Sequence, residues 1–145
     1  MGQIMKQTQT HLIAASHIKA ELEKIGQASR VTSEKFWMGD IVTIFLEDVD
    51  PDRLEQIKKI AKRFQYGTYY RDQDCYRMDN IINDLPQVKY VHISNRPSPK
   101  MKLRISQELI ANGYPGFESM KSFDVSELIL ACFQNPEFWE KHLTK

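Results

Sequence analysis

Apolar residues recur at helical spacing near the start of the chain. Ala14, Ala15, Ile18, Leu22 and Ile25 fall on one stripe of "TQTHLIAASHIKAELEKIGQ", which predicts an amphipathic helix over 8–26 with Gly26 as its stop. The pattern then changes to alternation. "RVTSEKFW" and "DIVTIFLE" read as strands joined at Met38-Gly39, where glycine allows the positive φ of a tight turn. In the second strand Val42, Ile44 and Leu46 lie on one face and Ile41 and Phe45 on the other, the pattern of a central strand covered on both sides. Helical spacing returns at Leu54, Ile57, Ala61 and Phe64, after an Asp50-Pro51 entry signal. Lys58, Lys59, Lys62 and Arg63 ride the polar side of this helix.

The stretch "YGTYYRDQDCYRMDN", residues 66–80, shows neither period. It is expected to be an irregular, partly extended crossing whose tyrosines anchor inward and whose charges point out. "QVKYVHIS" at 87–94 alternates as a strand, ended by Pro97 and Pro99. Ser98 is placed to cap a helix with Pro99 in its first turn, and Met101, Ile105 and Leu109 share its face as far as Gly113. Asp124 and Glu127 have the spacing of a capping box, with Phe123 stapling to Leu128, ahead of the stripe Val125, Leu128, Ile129, Cys132 and Phe133. Pro136 breaks that helix and leaves "EFWEKHLTK" as a short terminal one. The order is helix, two strands, helix, loop or short strand, strand, then two or three helices. Short connections favour an α+β fold: a small antiparallel sheet of three to four strands packed against helices, with a C-terminal helical extension.

At 145 residues with 41% hydrophobic content, the chain is expected to form one domain over 1–145, with a module at 10–98 and helices at 99–145. The formal charge of +1 gives no global attraction to nucleic acid or to an anionic membrane, so either partner would need a local patch. No apolar run approaches the roughly 20 residues of a membrane span. The opening "MGQIMKQTQT" lacks the apolar core of a signal peptide, so the cytosol is the expected location. Cys75 and Cys132 read there as reduced thiols.

No P-loop, G-x-G-x-x-G or nucleophile elbow occurs, and no cofactor is expected. His11 and His17 are six apart, off the i, i+4 spacing of a shared helical face. The acids Asp72, Asp74 and Asp79 lack the glycine and closing Glu of a calcium loop, so no metal is expected. What remains is surface for binding. "PQVKYVHISNRPSPKMKLR" carries Lys89, Arg96, Lys100, Lys102 and Arg104 and no acid, a field of one sign suited to phosphates or an acidic protein face. The 66–80 stretch adds Tyr69, Tyr70, Arg71, Asp72, Asp74, Tyr76 and Arg77, where Tyr and Arg are the residue types of interface hot spots. An enzyme would need His92, Asn95 and Arg96 to converge with Asp72 or Asp74.

Element order and several phrases resemble a described family. Residues about 10–98, through "SHIKAELEKI", "ASRVTSEKFWMGDIVTIFLED", "KRFQYGTYYRDQDCYRMDN" and "KYVHISNRPS", are similar to the large polyvalent protein-associated domain numbered twenty-nine. The matching positions are Phe64, Gly67, Asp74, Tyr76, Arg96 and Ser98. Where the family often has a Gly-Pro turn, this chain has "EDVDPD", and "YYRDQD" replaces an Asp-Gly-Met-like phrase. The resemblance implies a protein of phages or conjugative elements, acting in the host bacterial cytosol. It supplies no catalytic residues. Together these observations lead to the expectation of a non-enzymatic accessory protein that binds a host protein complex, for instance an anti-CRISPR or other anti-defence factor. Nucleic-acid binding through the basic strand-helix patch and an enzyme near His92 are the alternatives. Phe138 and Trp139 near the end would, if exposed, favour a homodimer through the C-terminal helices.

Overall fold

A computed structural model describes residues 2–144. The elements are α1 (Gly2–Lys24), β1 (Arg30–Phe36), β2 (Gly39–Glu47), α2 (Pro51–Lys62), β3 (Thr68–Tyr70), β4 (Cys75–Arg77), β5 (Tyr90–Arg96), α3 (Pro99–Ala111) and α4 (Ser122–Phe133). A final turn, Pro136–Phe138, continues as a π-helical stretch over Trp139–Leu143. The fold is α+β, as the patterning predicts. By contact the chain divides into two compact units, 1–46 with 55–94 and 47–54 with 95–145.

In the first unit α1 runs six residues further toward the N-terminus than the apolar stripe predicts. It stops as predicted, with Gln27 N–H bonding Leu22 O and Gly26 N–H bonding Glu23 O, both at 2.9 Å, while Gly26 takes φ +73°. This paired closure satisfies the last carbonyls of the helix. β1 and β2 pair antiparallel from Arg30↔Phe45 to Phe36↔Gly39, which leaves Trp37 and Met38 as the turn. The sheet order is β1-β2-β5, so β2 is central. The sheet is mixed, because β5 runs parallel to β2. Short connections had suggested antiparallel pairing throughout, but β2 reaches β5 through α2 and more than forty residues of chain, and such a crossover permits parallel strands. Ala14, Ile18, Leu22, Val42, Ile44, Ile57, Ala61, Phe64 and Val88 form the buried interior.

β5 begins at Tyr90, three residues later than the alternation predicts. Val88 is instead bridged to Gln65, and Lys89 N–H is held by Asp40 Oδ1 at 2.8 Å. The 66–80 stretch is also more ordered than expected. It forms a separate two-stranded sheet, β3 with β4, around a 3-10 turn at Arg71–Gln73.

In the second unit Ser98 caps α3 by accepting from Met101 N–H at 3.1 Å, with Pro99 in the first turn. Asp48, at φ +57°, accepts from Ser98 N–H at 2.7 Å and from its hydroxyl. The Asn95 side-chain amide donates to Val49 O at 2.8 Å, and its oxygen accepts from Val49 N–H at 3.1 Å. Segment 47–54 is thus fastened to the start of α3. The capping box does not form. α4 starts earlier, at Ser122 with Lys121 as its cap residue, so Asp124 lies inside the first turn. Phe123 is exposed, and no staple is made. Asn135 caps the final turn, accepting from Glu137 and Phe138 N–H groups. Trp139 is buried among Ile105, Leu109, Phe117, Ile129, Phe133 and Leu143, and its indole N–H donates to Phe133 O. This aromatic is core, and Phe138 beside it is partly buried against the same cluster. Lys145, the last residue of the predicted terminal helix, lies outside the described residues.

Candidate binding surface

The β3–β4 register sorts the tyrosine-rich stretch into two faces. Tyr69 opposes Tyr76, while Thr68 opposes Arg77 and Tyr70 opposes Cys75 on the neighbouring positions. Successive strand residues point to opposite sides, so Tyr69 and Tyr76 share one face and Thr68, Tyr70 and Arg77 the other.

On the first face a run of rings joins the hairpin to the main sheet. Tyr76 meets Tyr66 edge-on at 5.8 Å between centroids and Tyr90 at 5.5 Å, and Tyr90 stacks on Phe36 at 6.5 Å. Phe36 opposes Gly39 in β2, and the missing side chain there leaves room for the stem of Lys89, whose Cδ would lie 2.7 Å from an added Cβ. The Tyr76 hydroxyl donates to Lys89 O. Lys89 Nζ stands 5.1 Å above the Tyr76 ring and 5.6 Å above the Tyr90 ring, and donates to Met38 O at 3.0 Å. Burial, assisted by Tyr66 and Tyr90, pushes the Tyr76 phenol well above its ordinary range. Burial is likewise the first cause of the raised Tyr66 value. These two rings anchor inward as expected.

Others do not. Tyr69 is 48% exposed and Tyr70 38%. Their hydroxyls donate to Asp74 and Asp79 respectively, and those bonds hold both phenols up. Asp79 also accepts from Thr68 Oγ1 at 3.0 Å, and the Tyr70 bond holds its carboxyl below the usual range. Two of the three acids therefore brace the hairpin as hydrogen-bond acceptors. Asp74, at φ +44°, closes the 3-10 turn through its N–H to Arg71 O, and Arg71 and Asp72 are exposed on that turn. Arg77 bonds Gln73 and lies 5.1 Å over the Tyr70 ring.

Beside the ring cluster stands the β1–β2 turn. Trp37 is 92% exposed, and Phe36 and Met38 next to it are exposed as well. Sequence patterning passed over this tip. The signal was available, since "FWMG" puts two apolar residues, Trp37 and Met38, where a two-residue hairpin turn ordinarily carries polar ones.

The predicted basic residues are divided between the two units. Lys89 is engaged by the rings. Lys100, Lys102 and Arg104 belong to α3 in the other unit, where Lys102 lies about 200° around the helix from Lys100 while Arg104, four residues on, shares the side of Lys100. Arg96 ends β5. The residues proposed for catalysis do not converge. His92 and Asn95, three apart in one strand, face opposite sides, and the Asn95 amide is committed to Val49. Among the described residues no three His, Cys, Asp or Glu side chains could hold a metal ion, and no helix is long and apolar enough to cross a membrane.

A cavity of about 640 Å3 opens on the second hairpin face. Lys58, Ala61 and Lys62 of α2 form one wall, Val91 and Ile93 of β5 another, and Thr68, Tyr70 and Asp79 close an end. Asn80 secures that end by donating to Lys62 O at 2.8 Å and Gln65 O at 3.0 Å. No protein-family model, curated protein or solved structure matches this chain.

Proposed function

We propose that this protein is a non-enzymatic binding protein that docks onto a partner protein through the Trp37 tip and the adjoining tyrosine face. The observation that carries it is the exposure of Trp37, 92%, with Phe36, Met38 and Tyr69 also open to solvent, while the Lys89 cation lies over Tyr76 and Tyr90 and bonds Met38 O. Folding leaves little reason to strand a tryptophan in water beside other apolar groups. Tryptophan and tyrosine on a fixed backbone are the side chains that dominate protein interfaces. The hairpin bonds from Tyr69 to Asp74 and Tyr70 to Asp79 fix the surface before a partner arrives, which lowers the ordering cost of binding.

The resemblance of residues 10–98 to a phage and conjugative-element module supplies the setting. The partner is then a host protein complex, such as a CRISPR or other defence assembly, and the protein a mobile-element accessory factor. The test is retention of host proteins on the immobilised full chain, compared with Trp37→Ala and Met38→Ala together. A stoichiometric partner should be retained and then lost about 30-fold in the variant, the weight of one hot-spot residue, with an unchanged circular dichroism spectrum. Equal retention by the variant, or binding that proves to be salt-dependent capture of nucleic acid, would refute the proposal.

A further inference from the structure

We infer that the slot between α2 and β5 receives an extended, acidic segment of a partner protein, which pairs with the outer edge of β5 as an added strand.

β5 is an end strand of its sheet, and an end strand presents a row of backbone groups to any strand that can reach it. This chain begins to fill that position and then leaves it. Val88 N–H bonds Phe64 O at 2.8 Å and Tyr66 N–H bonds Val88 O at 3.0 Å, a single parallel bridge. Further along β5 a side chain stands in for a strand: Gln65 Oε1 accepts from Val91 N–H at 2.8 Å. Beyond Gly67 the chain turns into β3, whose hairpin pairs only with itself. The cavity of about 640 Å3 lies where the interrupted strand would have continued, and its volume is in the range of ligand sites, about 300–1,000 Å3.

The lining specifies what fits. Val91 and Ile93, two apart in β5, line the slot together and would meet alternate side chains of an added strand. Lys58 and Lys62 stand one helical turn apart along the facing wall. Among the described residues the ammonium of Lys58 pairs with Glu55 at 3.2 Å, an exposed i, i+3 contact that contributes almost nothing and exchanges readily. Asp79, the acid in the lining, already accepts from Tyr70 and Thr68. Acidic side chains on an incoming strand therefore find two cations, whereas basic ones find the single carboxylate of Asp79, which already accepts two hydroxyl bonds and feels the charge of Lys62. The slot uses the Thr68 and Tyr70 face of the hairpin, so it is separate from the Trp37 surface.

The experiment uses the full chain, labelled with 15N, and two blocked octapeptides, one alternating valine with glutamate and one alternating valine with lysine. The glutamate peptide should shift the amide signals of Ala61 and of residues 91–94 and slow solvent exchange at Ile93. The lysine peptide should bind at least tenfold more weakly. Lys58→Glu with Lys62→Glu should invert that preference, Lys62→Gln should fall between, and Trp37→Ala should leave the peptide affinity unchanged. Failure of both peptides to shift residues 91–94, or a preference unmoved by the charge reversal in a variant with a well-dispersed spectrum, overturns the inference. Loss of peptide binding in Trp37→Ala also overturns it, by placing the peptide on the other surface.

Discussion

Gly67→Ala is the substitution on which the hairpin geometry depends most directly. Gly67 is buried, and a Cβ built on it would collide with Arg77 O and with the Tyr76 ring, whose Cζ would lie only 2.9 Å away. Neither neighbour can yield cheaply. Arg77 O is backbone in β4, and the Tyr76 ring is wedged between Tyr66 and Tyr90 with its hydroxyl bonded to Lys89 O. Relief requires β4 to move away from β3, which costs about 3 kcal/mol, the upper part of the overpacking range. For a chain of this size that corresponds to a fall of about 9 °C in Tm. Gly26→Ala is the comparison. Gly26 has φ +73° and nothing within 4 Å of an added Cβ, so only the left-handed backbone penalty applies, about 1 kcal/mol or about 3 °C. Calorimetry on both variants gives the ranking, and the fluorescence of buried Trp139 reports the other unit. A Gly67→Ala protein that melts within 1–2 °C of the parent, or one more stable than Gly26→Ala, would show that the close approach of β3 and β4 is not a constraint.

Asn95→Ala removes both bonds to Val49 and should lower stability by about 2 kcal/mol, read as a lower urea midpoint; an unchanged midpoint would dismiss the clamp. Trp139→Ala empties the centre of the second unit and should cost about 4 kcal/mol, whereas Trp139→Phe, which loses the bond to Phe133 O but keeps most of the volume, should cost less; equal losses would contradict the packing. Tyr66, Tyr69, Tyr70 and Tyr76 all have values raised above the reference 10.0. The neutral phenol is favoured in the folded protein, so the stability it contributes is fully present below pH 10 and is lost as pH rises through the folded values. Phenolate absorbance should thus appear late and together with unfolding, and four tyrosines titrating near pH 10 in a folded protein would refute this. Burial raises the Cys132 thiol, so iodoacetamide at pH 8 should modify it more slowly than a free cysteine, as mass spectrometry of the digested protein would show.

The helices and the β1–β2 hairpin were legible because their apolar spacing is local: Ile18 and Leu22, or Val42, Ile44 and Leu46, declare their buried side within a few residues. Stops at Gly26 and Gly113 were legible for the same reason, each a left-handed residue closing its helix. The direction of β5 was not, since it depends on a crossover whose path no short window contains. Nor was the β3–β4 hairpin, where three-residue strands offer too little alternation to be read and the pairing of Tyr69 with Tyr76 is fixed by rings from β5. The capping box at Asp124 failed because the residues before it were free to join the helix. Among the expected binding residues, Tyr69, Tyr70 and Arg77 do reach the surface, but Asp74 is drawn into bracing it, together with Asp79. Charge counted along the sequence treats Lys89 to Arg104 as one field, whereas in α3 Lys102 stands opposite the side that Lys100 and Arg104 share.

The fastening of segment 47–54 to the start of α3 sets an order of events at the ribosome. Val49 and Asn95 are 46 positions apart, and Asp48 and Ser98 are 50. At about 5–20 residues per second of translation, Asp48 and Val49 are made roughly 2–10 s before the groups that will hold them. During that interval β2 has no fixed end, and the nascent chain carries a short apolar and acidic stretch that only later synthesis can settle.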